Sequence, residues 1–266
     1  MAAALLITLR ETLEASLVVG IVLAFLQRSN EGRYARWVWG GVAAGVLGSL
    51  ALAWVFQRVV GGFEGRVEEL YEGVTMLIAA GLITWMVLWM SRQGKRMKGH
   101  LEGRVGGHIR DNRPLGIFFL VFVSVLREGI ETVIFLQAAF LQSQTAYHQL
   151  GAVLGIVLAI GASWLLFKGL KAFSLRRFFA VSSLMLLLFA AGLFAHAIHE
   201  FAEAHVIPEL VEHVWNLSAV LPDDGTVGSI LKGLFGYNAD PSLIEVIAYV
   251  LYVSVAAVAW RRMQKA

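Results

Sequence analysis

The residues best suited to chemistry in this chain belong to two copies of one pattern, Arg-Glu-x-x-Glu, each within a long apolar stretch. The copies are Arg10-Glu11-Thr12-Leu13-Glu14 and Arg127-Glu128-Gly129-Ile130-Glu131. A charged side chain at the centre of a membrane-spanning helix costs about 2.5–3.5 kcal/mol, so six such charges cost about 15–20 kcal/mol before pairing. Folding alone does not require them, and the pattern therefore predicts a site for something charged.

Residues three and four positions apart share a helix face, so the two glutamates of each copy project together beside their arginine. By the rise per residue, both clusters lie near the middle of the bilayer. Four carboxylates and two guanidinium groups leave a net negative charge, which attracts a cation. Carboxylate oxygens suit hard or borderline metal ions. The alternative is an arginine–glutamate lattice that only joins two helices, but the excess glutamate in each of two copies favours a metal site.

The composition places these motifs in an integral membrane protein. The chain has 266 residues, of which 58% are hydrophobic, against about 45–50% in soluble domains. Cysteine is absent, which excludes disulfides and thiolate metal sites and leaves oxygen and imidazole as metal ligands. Arg10 and Glu11 interrupt the first apolar run, so we expect a spanning helix there rather than a cleaved signal peptide. We expect a surrounding lipid bilayer, no cofactor and no nucleic-acid partner.

Apolar runs of about 20 residues predict an all-α protein with seven transmembrane helices in a single membrane domain, residues 1–266. The runs are 3–27, 37–57, 72–90, 115–141, 150–168, 178–198 and 242–260. Lysine and arginine concentrate in alternate connections, which the positive-inside rule assigns to the cytoplasm. These are the loops 27–36, 91–113 and 168–177 and the C-terminal tail. The sequence thus predicts a multi-pass protein of the cytoplasmic (inner) membrane, with its N-terminus outside and its C-terminus in the cytoplasm.

A three-helix unit occurs twice. The second motif copy follows the first after 117 residues, and Gly41–Trp54 matches Gly151–Trp164 at an offset of 110. The predicted parts are repeat one at about 3–90, repeat two at about 115–198, an outer connection at 199–241 and the seventh helix at 242–260. An odd number of spans per unit inverts the second copy, as in transporters whose substrate site lies between inverted repeats.

Small residues recur at the same place in both units. Gly41 and Gly45 in the first unit correspond to Gly151 and Gly155 in the second. Glycines four positions apart allow helix backbones to approach closely in a membrane. We therefore predict that these two helices pack tightly against neighbours.

Further metal-ligand candidates lie toward the predicted outer face. Glu72 begins the third span, where a carboxylate either complements the helix dipole or binds a metal at the mouth. His196, His199, Glu200 and Glu203 end the sixth span at three- and four-residue spacing, so one helix face offers two imidazoles and two carboxylates. Such a set suits ferrous iron or another transition metal, although isolated interfacial histidines are commonly structural.

The doubled motif resembles the signature of the oxidase-dependent iron transporter family, the high-affinity iron permeases of fungi and the Efe-type permeases of bacteria. The segments that look most like the bacterial branch are Glu69-Leu70-Tyr71-Glu72-Gly73, Thr84-Trp85-Met86-Val87-Leu88-Trp89-Met90 and Phe235-Gly236-Tyr237 with Pro241. The resemblance covers essentially the whole chain. It implies iron as the transported substrate, uptake across the cytoplasmic membrane, and periplasmic partner proteins that bind or oxidise iron.

The resemblance also implies roles for individual residues. It assigns iron handling to the motif glutamates, which stand beside Arg10 and Arg127: Glu11, Glu14, Glu128 and Glu131. One departure is Thr12, which stands where the family has a glycine, present in the second copy as Gly129. The two halves are therefore not expected to be equivalent.

Three alternatives to an iron permease follow from the sequence. The same transporter could carry another heavy divalent metal, which the residues do not exclude. A seven-helix receptor or retinal protein would not need doubled motifs. Retinal requires a lysine inside a span, and the one lysine in a predicted span, Lys168, is the last residue of that span. An intramembrane enzyme lacks a serine or cysteine nucleophile pattern and the His-Glu-x-x-His zinc motif. For an iron permease, charge counting favours Fe²⁺ and the family's association with oxidases favours Fe³⁺, so both valences stay open.

Overall fold

The computed structural model describes residues 1–60, 65–93, 97–142, 148–167, 174–208, 211–223 and 225–265, and over these residues it contains helices and no β-strand. A short 3₁₀ turn lies at Gly32–Tyr34. The α-helices of the described part are α1 (Ala2–Arg28), α2 (Ala35–Val60), α3 (Arg66–Gln93), α4 (Met97–Arg110), α5 (Pro114–Gln142), α6 (His148–Phe167), α7 (Leu175–Glu203), α8 (Thr226–Phe235) and α9 (Leu243–Lys265).

Each of the seven predicted spans corresponds to one long helix, namely α1, α2, α3, α5, α6, α7 or α9. Residue 168, at the end of the fifth predicted span, and residues 168–173 of the basic loop 168–177 lie outside the described residues. Five of these helices, α2, α3, α6, α7 and α9, are long and apolar enough to cross a membrane. The other two, α1 and α5, have 27 and 29 residues but carry the motif charges near their middles. Membrane crossing by α1 and α5 stays a prediction.

The expectation of a loop over 91–113 is wrong, because residues 97–110 form α4. Glycines and charges keep the hydropathy of this segment low, so a search for apolar runs passes over it. The signal was instead a four-residue spacing of Leu101, Val105 and Ile109. Leu101 and Val105 are buried, and Val105 and Ile109 belong to an apolar cluster with residues of α1 and α5.

Glycines bring α1 and α6 together as a parallel pair. A side chain added at Gly151 would collide with the backbone of Met1, and one at Gly155 would collide with Thr8 and the carbonyl of Leu5. Residue numbers rise together along the two helices, which therefore run in the same direction. The predicted packing role of these glycines is confirmed.

The helices α2 and α5 form a second parallel pair with the same construction. Gly41 lies against the backbone of Phe118, and Gly45 lies against Val125. The polypeptide backbones approach closely at both glycines, which confirms the packing predicted for them. Because α5 carries the second motif, this pair also fixes the position of its charged residues.

The helices α3, α7 and α9 form a third group. Gly73 of α3 lies against Phe201 of α7, and the ring of Phe194 lies 5.3 Å from that of Tyr252 in α9. Tyr252 also forms a hydrogen bond with Thr84 of α3. These contacts make α7 antiparallel to both α3 and α9. The 199–241 connection contains the helix α8, which ends at Gly236 in the left-handed conformation that favours glycine (φ 69°).

Close packing at Gly155 leads to a stability prediction. In Gly155→Ala the added methyl group would lie 2.5 Å from the Leu5 carbonyl oxygen and 2.9 Å from the Leu9 amide nitrogen. Overpacking of this kind lowers the free energy of unfolding by about 1–3 kcal/mol. We expect a lower melting temperature for the purified protein in detergent. The matched control is Gly161→Ala on the same helix, where the new methyl group meets nothing within 4 Å; equal melting temperatures for the two variants would contradict this packing.

Candidate metal centre

The motif helices α1 and α5 bring three carboxylates of the two motif copies together. One oxygen each from Glu11, Glu128 and Glu131 lies within 4.8 Å of the others. Glu11 is 1% exposed and Glu128 is 8% exposed. Within the described residues, this is the one group of three or more acidic or histidine side chains that converge so closely. The glutamates of the two copies therefore face one another rather than pointing apart.

Each of these carboxylates keeps one oxygen free of protein donors. The Oε2 atoms of Glu11, Glu128 and Glu131 are all buried, and none has a hydrogen-bond partner among the described residues. A buried carboxylate oxygen without a donor is unfavourable unless a cation or a proton compensates for the lost water. The buried Oε1 of Glu14 also lacks a hydrogen bond, but it lies 3.2 Å from Arg10. The three converging carboxylates thus each offer a free oxygen, which is the arrangement that suits a bound metal ion.

The two motif arginines neutralise part of this charge, but in different surroundings. Arg10 is fully buried; its Nη1 lies 3.2 Å from Glu11 Oε1 and its Nη2 lies 3.2 Å from Glu14 Oε1. Arg127 donates from Nε to Glu131 Oε1 at 2.7 Å, with its side chain 36% exposed. Glu14 lies outside the three-carboxylate group and pairs with Arg10. The first copy thus supplies one carboxylate to the centre and the second supplies two.

Residues of α3 that the sequence analysis did not single out as site residues also contact the arginines. Arg10 donates hydrogen bonds to the sulfur atoms of Met86 and Met90, and the guanidinium of Arg127 lies 4.9 Å from the ring centroid of Trp89. The available signal was their spacing, because positions 86, 89 and 90 share one helix face. Periodicity on α3 alone could not show that this face meets the motifs.

The glycine of the second motif has a packing role. A side chain at Gly129 would collide with Ser49 of α2, so glycine allows α2 to approach α5 beside the centre. The hydroxyl of Ser49 donates to the carbonyl of Gly45 at 2.9 Å, within its own helix. Gly129 therefore faces the neighbouring helix α2, whereas Thr12, at the corresponding position of the first copy, is half-buried on α1.

The second predicted group lies at the end of the bundle where α7 ends and α3 begins. His196 Nε2 lies 3.5 Å from Glu200 Oε1. His199 Nε2 lies 3.2 Å from Glu203 Oε1, and the two imidazole rings stack with centroids 5.8 Å apart. Glu72 is close enough to Glu200 and Glu203 for their charges to interact. The residues thus form neighbouring imidazole–carboxylate pairs rather than one convergent ligand set.

Glu245, at the start of α9, has a structural role beside this group. Its Oε2 accepts hydrogen bonds from the amide of Ser242 at 2.8 Å and the hydroxyl of Ser242 at 3.1 Å. The Ser242 hydroxyl in turn accepts from the amide of Glu245 at 3.4 Å. This reciprocal pattern is a capping box, which satisfies free amide groups at a helix start. Glu245 also lies 3.8 Å from His199 Nδ1.

A cavity of about 420 Å³ adjoins this end of the bundle, away from the three-carboxylate centre. Its lining includes His196, Glu245, Lys232 and Gln142. The Oε1 of Gln142 is buried there and has no hydrogen-bond partner among the described residues. The cavity therefore places polar groups of α5, α7, α8 and α9 around one space.

Comparisons with known proteins agree with the resemblance noted in the sequence. The model of the iron permease FTR1 family matches residues 1–262. Ferrous iron permease EfeU of Escherichia coli O6:K15:H31 (strain 536) is 37% identical over 257 residues, covering 96% of this chain and 93% of that protein. EfeU of Yersinia pestis is 36% identical over 255 residues, covering 95% and 90%. No solved structure matches this chain. The chain therefore belongs to the iron permease FTR1 family, whose members are membrane transporters rather than enzymes.

Proposed function

We propose that this protein imports ferrous iron across the cytoplasmic membrane and binds it at Glu11, Glu128 and Glu131. The observation that carries the proposal is the convergence of these carboxylates, each with one buried oxygen that lacks a protein donor. Two relatives that share over a third of its residues are named ferrous iron permeases. Membership of the family supports iron as the substrate, and the geometry supports these three residues as its ligands.

Charge balance favours the ferrous ion. The four motif glutamates and two motif arginines carry a net charge of −2, which Fe²⁺ neutralises, whereas Fe³⁺ would leave an excess positive charge in the apolar bundle. Buried net charge is strongly unfavourable in a membrane. Oxygen ligands also bind other divalent metals, so the carboxylates alone do not distinguish iron from its competitors.

We further propose that the group at the ends of α3 and α7 collects iron before it reaches the centre. The residues are Glu72, His196, His199, Glu200 and Glu203. Two imidazoles and three nearby carboxylates lower the local potential and attract cations. Paired imidazole–carboxylate groups hold a metal ion less tightly than a convergent set, which suits a residue group that must release iron onward.

The packing supports seven membrane crossings in two inverted repeats. The first helix of each unit packs in parallel with the second helix of the other unit, as α1 with α6 and α2 with α5. The third helices, α3 and α7, pack against each other. Reciprocal pairing of this kind is expected when two inverted copies interlock, and it places α1 and α5 in the interior of the transporter. Release of iron would follow rocking of the repeats around the centre.

The metal centre predicts loss of uptake in isosteric variants. Glu11→Gln and Glu128→Gln each remove one anionic ligand but keep the side-chain volume. We expect the initial rate of radioactive iron uptake to fall about tenfold or more, as is typical when a metal site loses an important group.

The matched control for these variants is Glu212→Gln, because Glu212 is exposed in the connection before α8. Immunoblots of isolated membranes would show whether each variant reaches the membrane at the normal level. Near-normal uptake by a correctly inserted Glu128→Gln would remove the three-carboxylate centre from the transport path.

The proposed orientation can be mapped directly, since the chain contains no cysteine. Ser29, after α1, and Ser218, in the 199–241 connection, are both exposed. We expect a membrane-impermeant maleimide to label Ser218→Cys in intact spheroplasts, and Ser29→Cys only after permeabilisation. Labelling of both sites from the outside would contradict the seven-span topology.

Valence and metal selectivity require separate substrates. In proteoliposomes, we expect faster uptake of Fe²⁺ held reduced by ascorbate than of ferric citrate at the same concentration, because the ferrous ion balances the charge of the centre. Competition by Mn²⁺, Zn²⁺ and Co²⁺ would measure selectivity. Uptake of ferric iron alone, or of another divalent ion in preference to iron, would overturn the ferrous assignment.

A further inference from the structure

One face of α3 contacts the arginines of both motif copies. The residues are Met86, Trp89 and Met90, whose spacing of three and four positions puts them on one side of the helix. Met86 is 1% exposed, and the other two are half-buried. We call these three residues the arginine shelf. They belong to a single helix, although the two arginines belong to different repeats.

Arg10 divides its donors between carboxylates and the shelf. Its Nη1 donates to both Glu11 Oε1 and the Met86 sulfur, and its Nη2 contacts both Glu14 Oε1 and the Met90 sulfur, the latter at 3.0 Å. Its Nε is buried and has no hydrogen-bond partner among the described residues. Thioether sulfur is a weak, uncharged acceptor. The carboxylates therefore satisfy only part of the hydrogen-bonding capacity of Arg10, and uncharged methionine sulfur atoms contact the same guanidinium group.

Arg127 is held in the same divided way. Its Nε donates to Glu131 Oε1 at 2.7 Å, while its guanidinium carbon lies 4.9 Å from the centroid of the Trp89 ring. An aromatic face attracts a guanidinium without supplying a negative charge. Both arginines thus contact a carboxylate of the metal centre and at least one uncharged side chain of α3, which is Trp89 for Arg127 and both methionines for Arg10.

We propose that the arginine shelf holds Arg10 and Arg127 in position while iron replaces them as the partner of the Glu11 and Glu131 carboxylates. This inference rests on the proposed function of the centre. Iron at the free Oε2 atoms of Glu11 and Glu131 would draw on the same two carboxylates whose Oε1 atoms the guanidinium groups contact. The arginines and the metal therefore compete for the same negative charge. A buried guanidinium that lost its carboxylate without another partner would be strongly unfavourable. The shelf supplies that partner, and because it is uncharged it does not create a second anionic site beside the first.

Loss of the shelf has a specific consequence. Without neutral acceptors, the arginines depend more on Glu11, Glu14 and Glu131 and compete more strongly with the metal. The apparent affinity for iron then falls, while the transport step itself is unchanged. The same weakening applies to every divalent ion that competes for the centre, because the competitor, the arginine, is the same in each case.

The test measures iron uptake kinetics in proteoliposomes for Met86→Leu/Met90→Leu and for Trp89→Leu. We expect KM for Fe²⁺ to rise about three- to tenfold with the maximum rate nearly unchanged, the pattern of lost ground-state binding. The inhibition constants of Mn²⁺ and Zn²⁺ should rise by the same factor. Met86→Gln/Met90→Gln, which restores an acceptor, and Trp89→Phe, which keeps an aromatic face, should recover most of the affinity.

Matched controls exist for each substitution. Met76→Leu changes a fully buried methionine on the same helix, and Trp39→Leu changes a tryptophan that is 58% exposed on α2. An unchanged KM in the two shelf variants would overturn the proposal. A rise confined to one metal would also overturn it, since that result indicates direct ligation by sulfur. If the leucine variants do not insert, the conservative variants are measured alone. A KM for Fe²⁺ raised about tenfold in both Met90→Gln and Trp89→Phe would then contradict the proposal, because each substitution keeps an uncharged partner for its arginine.

This result is separable from the proposed function. Normal uptake by Glu128→Gln would refute the metal centre, whatever the shelf variants do. Loss of uptake in Glu128→Gln together with an unchanged KM in the shelf variants would leave the centre standing and refute the shelf alone.

Discussion

The constraint on which this structure depends is the balance of buried charge between α1 and α5. Each motif charge would cost about 2.5–3.5 kcal/mol at the middle of a membrane if left alone, and Arg10 and Glu11 are almost completely buried. The arginine–glutamate pairs within α1 and within α5 compensate for only part of this buried charge. One oxygen of each converging carboxylate remains without a protein donor, so the bundle is built around an excess of negative charge that the proposed metal ion would offset.

The surrounding helices fix the positions of the motif charges by packing closely against α1 and α5. Glycines on α6 and α2 let these helices approach the backbones of α1 and α5, and close van der Waals packing is the main source of helix association where the solvent is as apolar as the side chains. At Gly129, helix packing and the placement of the motif glutamates depend on the same residue. It lies between Glu128 and Glu131 in the sequence, and its missing side chain leaves room for Ser49 of α2. Helix packing and the proposed metal binding thus use alternate sides of the same helical turn.

Much of this arrangement could be predicted from the sequence, and the remainder has identifiable physical reasons. Apolar run length located the long helices, glycine spacing identified the packing faces, and the repeated motif identified the charged helices. Periodicity relates residues along one helix but does not give its rotation against another, so the separation of Glu14 from the other three glutamates was not predictable. The same limit hid the contacts of Met86, Trp89 and Met90. Hydropathy missed α4 because its buried face is narrow.

The repeats are similar in sequence, yet the centre that they form is asymmetric. One copy supplies a single carboxylate together with a buried arginine, and the other supplies two carboxylates together with an arginine that is 36% exposed. The helix α3 adds to this asymmetry, because it belongs to one repeat but contacts both arginines, Arg10 through sulfur and Arg127 through an aromatic ring. A symmetric centre would bind its ion in the same way from either face of the membrane. A thioether and an indole ring differ in how strongly they hold a guanidinium. Under the proposed function, the two arginines would therefore give up their carboxylates one after the other, and the ion would be released in steps.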